Sequence, residues 1–199
     1  MNLPNKLTVL RIALIPVMVV VAMFEFPGDL WGIPTLYWIL NGIFVIASIT
    51  DFLDGAIARK TNDITTFGKF ADPLADKILV LSTMMILLAM GKIPSWIPII
   101  IITRDFVVSG YRMLEVEKGG KVIAASFWGK LKTCTQIGAI IAIFLSIHNF
   151  GAFWSYSLTG WHLFINVTAT IMFILATIAT VFSGYDYLKD SKKLFEDSK

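Results

Sequence analysis

The stretch DFLDGAIARKTNDITTFGKFADPLADK, residues 51–77, gathers four aspartates between two long apolar runs. Asp51 and Asp54 close the run before it, and Asp72 and Asp76 open the run after it. If the first run stays helical past Asp51, the pair Asp51/Asp54 is spaced i,i+3 and shares one helix face. Asp72 and Asp76, spaced i,i+4, share a face of the next helix. Pro73 suits a first helical turn, where its missing N–H costs nothing, and that reading makes Asp72 an N-cap. The polar run TNDITTFGKF, with Gly68, then serves as a short connector. The two helices become antiparallel neighbours with their carboxylate pairs facing each other. Asp63, off this pattern, reads as solvated.

The surrounding sequence says where this cluster sits. Of the 199 residues, 56% are hydrophobic and 16% charged, against about 45–50% and about 25% in soluble domains. The mean hydropathy is +0.74. The apolar residues come in six blocks, at roughly 9–25, 34–53, 75–91, 94–112, 133–149 and 161–183. About 20 helical residues cross a bilayer, and backbone groups in lipid must be bonded internally. The expected fold is therefore an all-α integral membrane protein with six transmembrane helices, residues 1–199 forming a single membrane domain. No internal repeat is visible.

Placing the N-terminus inside puts fifteen of the seventeen Lys and Arg residues on the cytoplasmic side, leaving only Lys92 outside and Arg104 within the fourth span. The positive-inside rule then puts both termini in the cytoplasm. The net charge of +3 is a leaflet preference. With no basic arm interleaved with aromatics, nothing points to nucleic acid. The single Cys134 lies in an apolar span and reads as a small buried residue. The four aspartates fall at the cytoplasmic mouth between spans two and three.

Four converging carboxylates repel one another unless cations neutralise them. Arg59 and Lys77 are each able to pair with one. An oxygen-only set without Cys or His suits hard divalent ions, Mg²⁺ or Mn²⁺. Two such ions would use all four carboxylates, as in two-metal phosphoryl chemistry. Gly55 and Ala58, beside Asp54, bare the backbone either for helix packing or for the approach of a bulky group. Arg59 is placed for a phosphate or a nucleotide rim. A cation transporter is the out-of-class alternative. It calls for ionisable groups near the midplane and for repeats, whereas these aspartates sit at the mouth.

Written as spacing, the stretch is Asp51-x2-Asp54-Gly55-x2-Ala58-Arg59-x8-Gly68-x3-Asp72-x3-Asp76. It resembles the signature of the CDP-alcohol phosphatidyltransferase family at all eight positions, and the resemblance covers essentially the whole chain. The resemblance implies that Asp51, Asp54 and Asp72 ligate the metals, and that Asp76 binds the second metal and serves as general base. It implies that Gly55, Ala58, Arg59 and Gly68 line the CDP site, and that Asn5 and Thr8 reach the nucleotide. On residues alone, Asn5, Thr8 and Arg11 serve equally as a helix start and interface anchors. The implied reaction is attack of an alcohol on CDP-diacylglycerol with loss of CMP, at a cytoplasm-facing site in the cell membrane. A homodimer is also implied.

The acceptor must be read elsewhere. Arg104 lies inside span four, where an ionisable residue faces a cavity or a partner. It is able to pair with Asp105 or Asp76. With Arg112, Lys130 and Lys132 it makes a basic cluster suited to an acceptor carrying its own phosphate, although such residues also attract anionic lipid. The segments NLPNKLTVLRI, ITRDFVVSGYR and WGKLKT resemble the branch of the family that uses glycerol 3-phosphate. Inositol phosphate and phosphatidylglycerol are the competing acceptors.

Overall fold

The computed structural model describes residues 3–61, 66–117 and 127–196, with backbone alone for 3–5, 54–61, 66–73, 112–117, 188 and 190–196. The helices in chain order are α1 (Leu3–Ala22), α2 (Thr35–Thr61), α3 (Thr66–Ala89), α4 (Trp96–Glu117), α5 (Phe127–Phe144) and α6 (Gly160–Glu196). Each overlaps one expected apolar block. Two stretches, Thr35–Leu53 and Gly160–Tyr187, are long and apolar enough on their own to cross a membrane.

The last helix is apolar outside as well as inside, and its buried face is mostly small. On α6 the buried face carries Ala169, Phe173, Ala176, Thr180 and Ser183, while Ile171, Ile174, Leu175, Ile178, Val181 and Phe182 are exposed. Small residues inside let helices approach when there is no water to drive large side chains together. Helices α5 and α6 make the most extensive contact of the bundle. At Gly138 the Met172 side chain already fills the place of a Cβ, with its Cε only 2.8 Å away. Buried hydroxyls bond within their own helix: Thr50, Thr83, Thr177 and Thr180 donate to the carbonyls of Ile46, Leu79, Phe173 and Ala176. Such back-bonding satisfies a hydroxyl without a partner helix.

Three expectations change. The helix α3 starts at Thr66, well before Asp72, so Asp72 is inside the helix and is not its N-cap. Pro73 is interior too, and removes the amide that would bond the Lys69 carbonyl. Only residues 62–65 separate α2 from α3, so Gly68 belongs to a helix rather than to a connector; Asp63 lies outside the described residues. Second, α2 and α3 touch, but α1 makes the larger contact with each of them. The amino-terminal helix is thus the element that joins the two carboxylate helices. Third, Cys134 is exposed. It lies off the inward face of α5, which carries Lys132, Thr135, Gln136, Ala139, Ile140 and Ile143.

One feature is not helical. Asp29–Leu30 pairs antiparallel with Ile33–Pro34 as strands β1 and β2. The two turn residues between them have positive φ, 55° at Trp31 and 76° at Gly32, as a type I′ hairpin requires. The Trp38 indole N–H donates to the Leu30 carbonyl at 3.2 Å and its ring meets Trp31 edge-on.

Candidate active site

The continuation of α2 through Thr61 confirms the helical premise for Asp51 and Asp54, three residues apart on one face. Asp72 and Asp76 sit four apart on α3. The side chains of Asp54, Gly55, Ala58, Arg59, Gly68 and Asp72, and those of Asn5 and Arg112, lie outside the described residues. The described half of the quartet is Asp51 and Asp76. Among the described residues no three carboxylate, imidazole or thiol groups converge.

The carboxylate of Asp51 is about two-fifths exposed and receives the Arg11 guanidinium at 2.6 Å. Arg11, from α1, is fully buried. Thr8, one turn earlier on the same face, is also fully buried. A buried arginine costs much unless it is paired, and Asp51 supplies the pair. This is how α1 earns its place between α2 and α3. Sequence reasoning left Arg11 among the interface anchors. The available signal was a charge one turn from Thr8 inside an apolar run, which calls for a partner.

Asp76 lies within electrostatic reach of Asp51, Arg11, Lys132 and Asp105. Its neighbour Lys77 donates to the Ser109 hydroxyl on α4, so among the described residues its partner is not an aspartate. Ser109 in turn donates to the Asp105 carbonyl at 2.6 Å. The aspartate helix α3 is therefore tied to the turn of α4 that carries Asp105.

A second charged group begins there. The Lys132 ammonium, from α5, bonds both carboxylate oxygens of Asp105, at 2.7 and 2.6 Å. Arg104 donates to one of the same oxygens at 3.1 Å and, through its other terminal nitrogen, to Ser183 of α6. Its guanidinium also lies 5.6 Å from the centre of the Tyr187 ring, a cation–π distance. Of the four residues expected to bind an acceptor phosphate, the structure brings Arg104 and Lys132 together on Asp105. Lys130 is exposed.

A hard cation fits the donor set. Asp51 is open to solvent on an otherwise buried polar floor, Asp76 stands within its electrostatic reach, and Asp54 and Asp72 lie one turn away along the same two helices. All four offer oxygen, the ligand that Mg²⁺ and Mn²⁺ take.

The sequence model of the CDP-alcohol phosphatidyltransferase family matches residues 1–183. The chain belongs to that family. It is 38% identical to the CDP-diacylglycerol–glycerol-3-phosphate 3-phosphatidyltransferase of Bacillus subtilis (strain 168), over 99% of this chain and 98% of the relative. The protein of that name from Rickettsia bellii (strain RML369-C) is 35% identical over 98% of this chain and 97% of its own. A probable phosphatidylglycerophosphate synthase of Mycobacterium tuberculosis (strain ATCC 25618 / H37Rv) is 35% identical over 94% of this chain and 80% of its own.

Proposed function

We propose that this chain is a multi-pass membrane enzyme that transfers the phosphatidyl group of CDP-diacylglycerol to glycerol 3-phosphate, releasing CMP. The observation that carries this reading is the adjacency of two charged groups of opposite character. Asp51 and Asp76 offer carboxylates on α2 and α3, and Arg104 and Lys132 offer cations on α4 and α5. The first suits a metal-bound pyrophosphate, the second the phosphate of an acceptor. The names of the relatives favour the same pair of substrates.

The bundle spans the bilayer six times, with the charged groups at the cytoplasmic mouth. Its apolar exterior supports this. So do the aromatics at the opposite end, where Trp31, Trp154, Tyr156 and Trp161 are all more than 60% exposed. Trp and Tyr concentrate at membrane–water interfaces. With the site at the mouth, the lipid's acyl chains stay in the bilayer while its nucleotide enters a polar space.

Asp51, Asp54, Asp72 and Asp76 would hold two divalent cations, Mg²⁺ or Mn²⁺. Bound there, the cations supply Lewis-acid stabilisation of the charge that develops on the pyrophosphate. Arg11 holds Asp51 in place from behind. Asn5, Thr8, Gly55, Ala58, Arg59 and Gly68 line the nucleotide side. Arg104, Arg112, Lys130 and Lys132 bind the acceptor phosphate and leave its terminal hydroxyl at Asp76. The hydroxyl oxygen attacks the phosphorus bearing the diacylglycerol while its proton passes to Asp76. The phosphorus–oxygen bond to CMP breaks, and CMP leaves with the electron pair.

The test is an acceptor panel. Purified protein, CDP-diacylglycerol and Mg²⁺ or Mn²⁺ receive one alcohol per reaction, and CMP release is measured. Glycerol 3-phosphate should exceed glycerol and serine by at least about a hundredfold in kcat/KM, because the missing phosphate leaves basic groups unpaired. Preference for inositol phosphate or phosphatidylglycerol would reassign the acceptor, and no CMP release with any alcohol would reject the reaction class.

A further inference from the structure

We infer that Asp105 is the positioning residue of the acceptor site, holding Lys132 and Arg104 side by side so that an acceptor phosphate meets an ordered pair of cations. The inference rests on the reaction proposed above. Lys132 and Arg104 come from different helices, and two like charges on long, flexible side chains separate unless something holds them. The carboxylate of Asp105 bonds the Lys132 ammonium with both oxygens and shares one of them with Arg104.

The arrangement is braced on every side. Ser183 and the Tyr187 ring fix the plane of the Arg104 guanidinium from α6. Ser109 and Lys77 tie the Asp105 turn to α3 next to Asp76. The carboxylate therefore sets the separation of the two cations, while the backbone carbonyl of the same residue, through Ser109 and Lys77, ties that turn to α3 beside Asp76.

The cluster is also left short of saturation. Two cations share one carboxylate, and among the described residues the buried Nε of Arg104 has no hydrogen-bond partner. Lys132 carries three N–H donors against the two oxygens of Asp105. A group that were only a structural ion pair would gain by being closed; this one keeps positive charge in excess beside Asp76. An anion with its own hydroxyl is the ligand such a surplus favours, and a neutral alcohol would leave it unmet.

Asp105→Asn keeps the shape and removes the charge that orders both cations. The expected result is an acceptor KM raised at least about tenfold, with kcat within about threefold of wild type and the CDP-diacylglycerol KM unchanged. Asp105→Glu should recover part of the loss, because it restores a carboxylate at nearly the same place. Glycerol 3-phosphate should raise the thermal unfolding midpoint of the detergent-purified wild type, and raise that of Asp105→Asn less. An acceptor KM within twofold of wild type would overturn the inference. So would an acceptor KM that falls, which would make Asp105 a competitor of the phosphate, or a loss shared by both substrates with no rescue by Glu. If wild-type protein itself shows no preference for glycerol 3-phosphate over glycerol, the proposed reaction and this inference fall together; an unchanged acceptor KM in Asp105→Asn with that preference intact overturns the inference alone.

Discussion

Among the described residues, the two ends of the bundle treat their buried polar groups in opposite ways. At the end formed by the 23–34, 90–95 and 145–159 segments, the buried Lys92, Ser146 and Asn166 bond chiefly to neutral groups. Gly91 takes positive φ, and the Lys92 and Gly91 amides return to the Leu87 and Leu88 carbonyls, closing α3. This is the Schellman arrangement. It aims the Lys92 side chain across to the segment that follows α5, where the ammonium donates to the Ser146 and Ile147 carbonyls at 2.7 and 2.8 Å and lies 4.3 Å from the centre of the Tyr37 ring. Asn166 donates to the Ser146 hydroxyl and the Asn149 carbonyl, and accepts from the Phe153 amide. Nearly all of these partners are neutral backbone groups.

The other end is built from charges: Arg11 on Asp51, Lys132 and Arg104 on Asp105, and Asp76 among them. Charges in apolar surroundings are costly even when paired, so a protein needing only stability would have used the first solution twice. The first end is closed on itself. The second, on the reaction proposed above, is completed by divalent cations at the α2 and α3 carboxylates and by an acceptor phosphate at Arg104 and Lys132.

The comparison is most easily broken at the charged end. Asp51→Asn, Asp54→Asn and Asp72→Asn should each reduce turnover at least about a hundredfold, the scale for losing one preorganised electrostatic group; Asp51→Asn should also lower the thermal midpoint in detergent, because it leaves the buried Arg11 guanidinium without its carboxylate. EDTA should silence the wild type, and Mg²⁺ or Mn²⁺ should restore it. Asp76→Asn should separate from these: acceptor KM survives while kcat collapses. Full turnover in metal-free protein would falsify the assignment of this end.

The closed end should behave in reverse. Asn166→Ala orphans the Phe153 amide and the Asn149 carbonyl, at a cost of about 1–3 kcal/mol. The midpoint should drop by roughly 2–12 °C, with both substrate KM values unchanged. A change in KM without a loss of stability would mean that the two ends are coupled rather than separate.

The smallest effect sharpens the comparison through pH. Burial in the loop pushes the Lys92 ammonium down from 10.5 to about 8. Between those values the unfolded chain holds a proton that the folded chain has shed, so stability rises with pH across that window and is flat below it with respect to this group. The wild-type midpoint should therefore climb from pH 8 to pH 10 relative to Lys92→Met. Parallel curves for the two proteins would show that the two carbonyls and the Tyr37 ring offset the cost of burying the charge.

Much of the charged end could be read from the chain because its spacings are local. Asp51 to Asp54 and Asp72 to Asp76 lie within one helical turn, and a helix fixes which residues share a face. The hairpin at Asp29–Pro34 was not read, because two-residue strands leave no periodicity. The Asp72 cap was misread for a related reason. Pro73 favours a helix start, but the helix had already begun at Thr66, and the helical spacing of Phe67, Phe70, Ala71, Leu74 and Ala75 that announces it is broken up by Gly68, Lys69 and Asp72.

The sequence by itself determined six helices, the carboxylate faces of two of them, and the family. The apolar blocks and the signature spacing are properties of consecutive residues and do not depend on how the helices meet. Only the tertiary structure decided that α1 joins α2 and α3, that Arg11 answers Asp51 from 40 positions away, and that Asp105 rather than Asp76 binds Lys132 and Arg104. Helical period says which way a side chain points. Which partner stands there depends on how small residues such as Gly138 and Ala176 let the helices pack, and on every buried charge finding its opposite across the bundle.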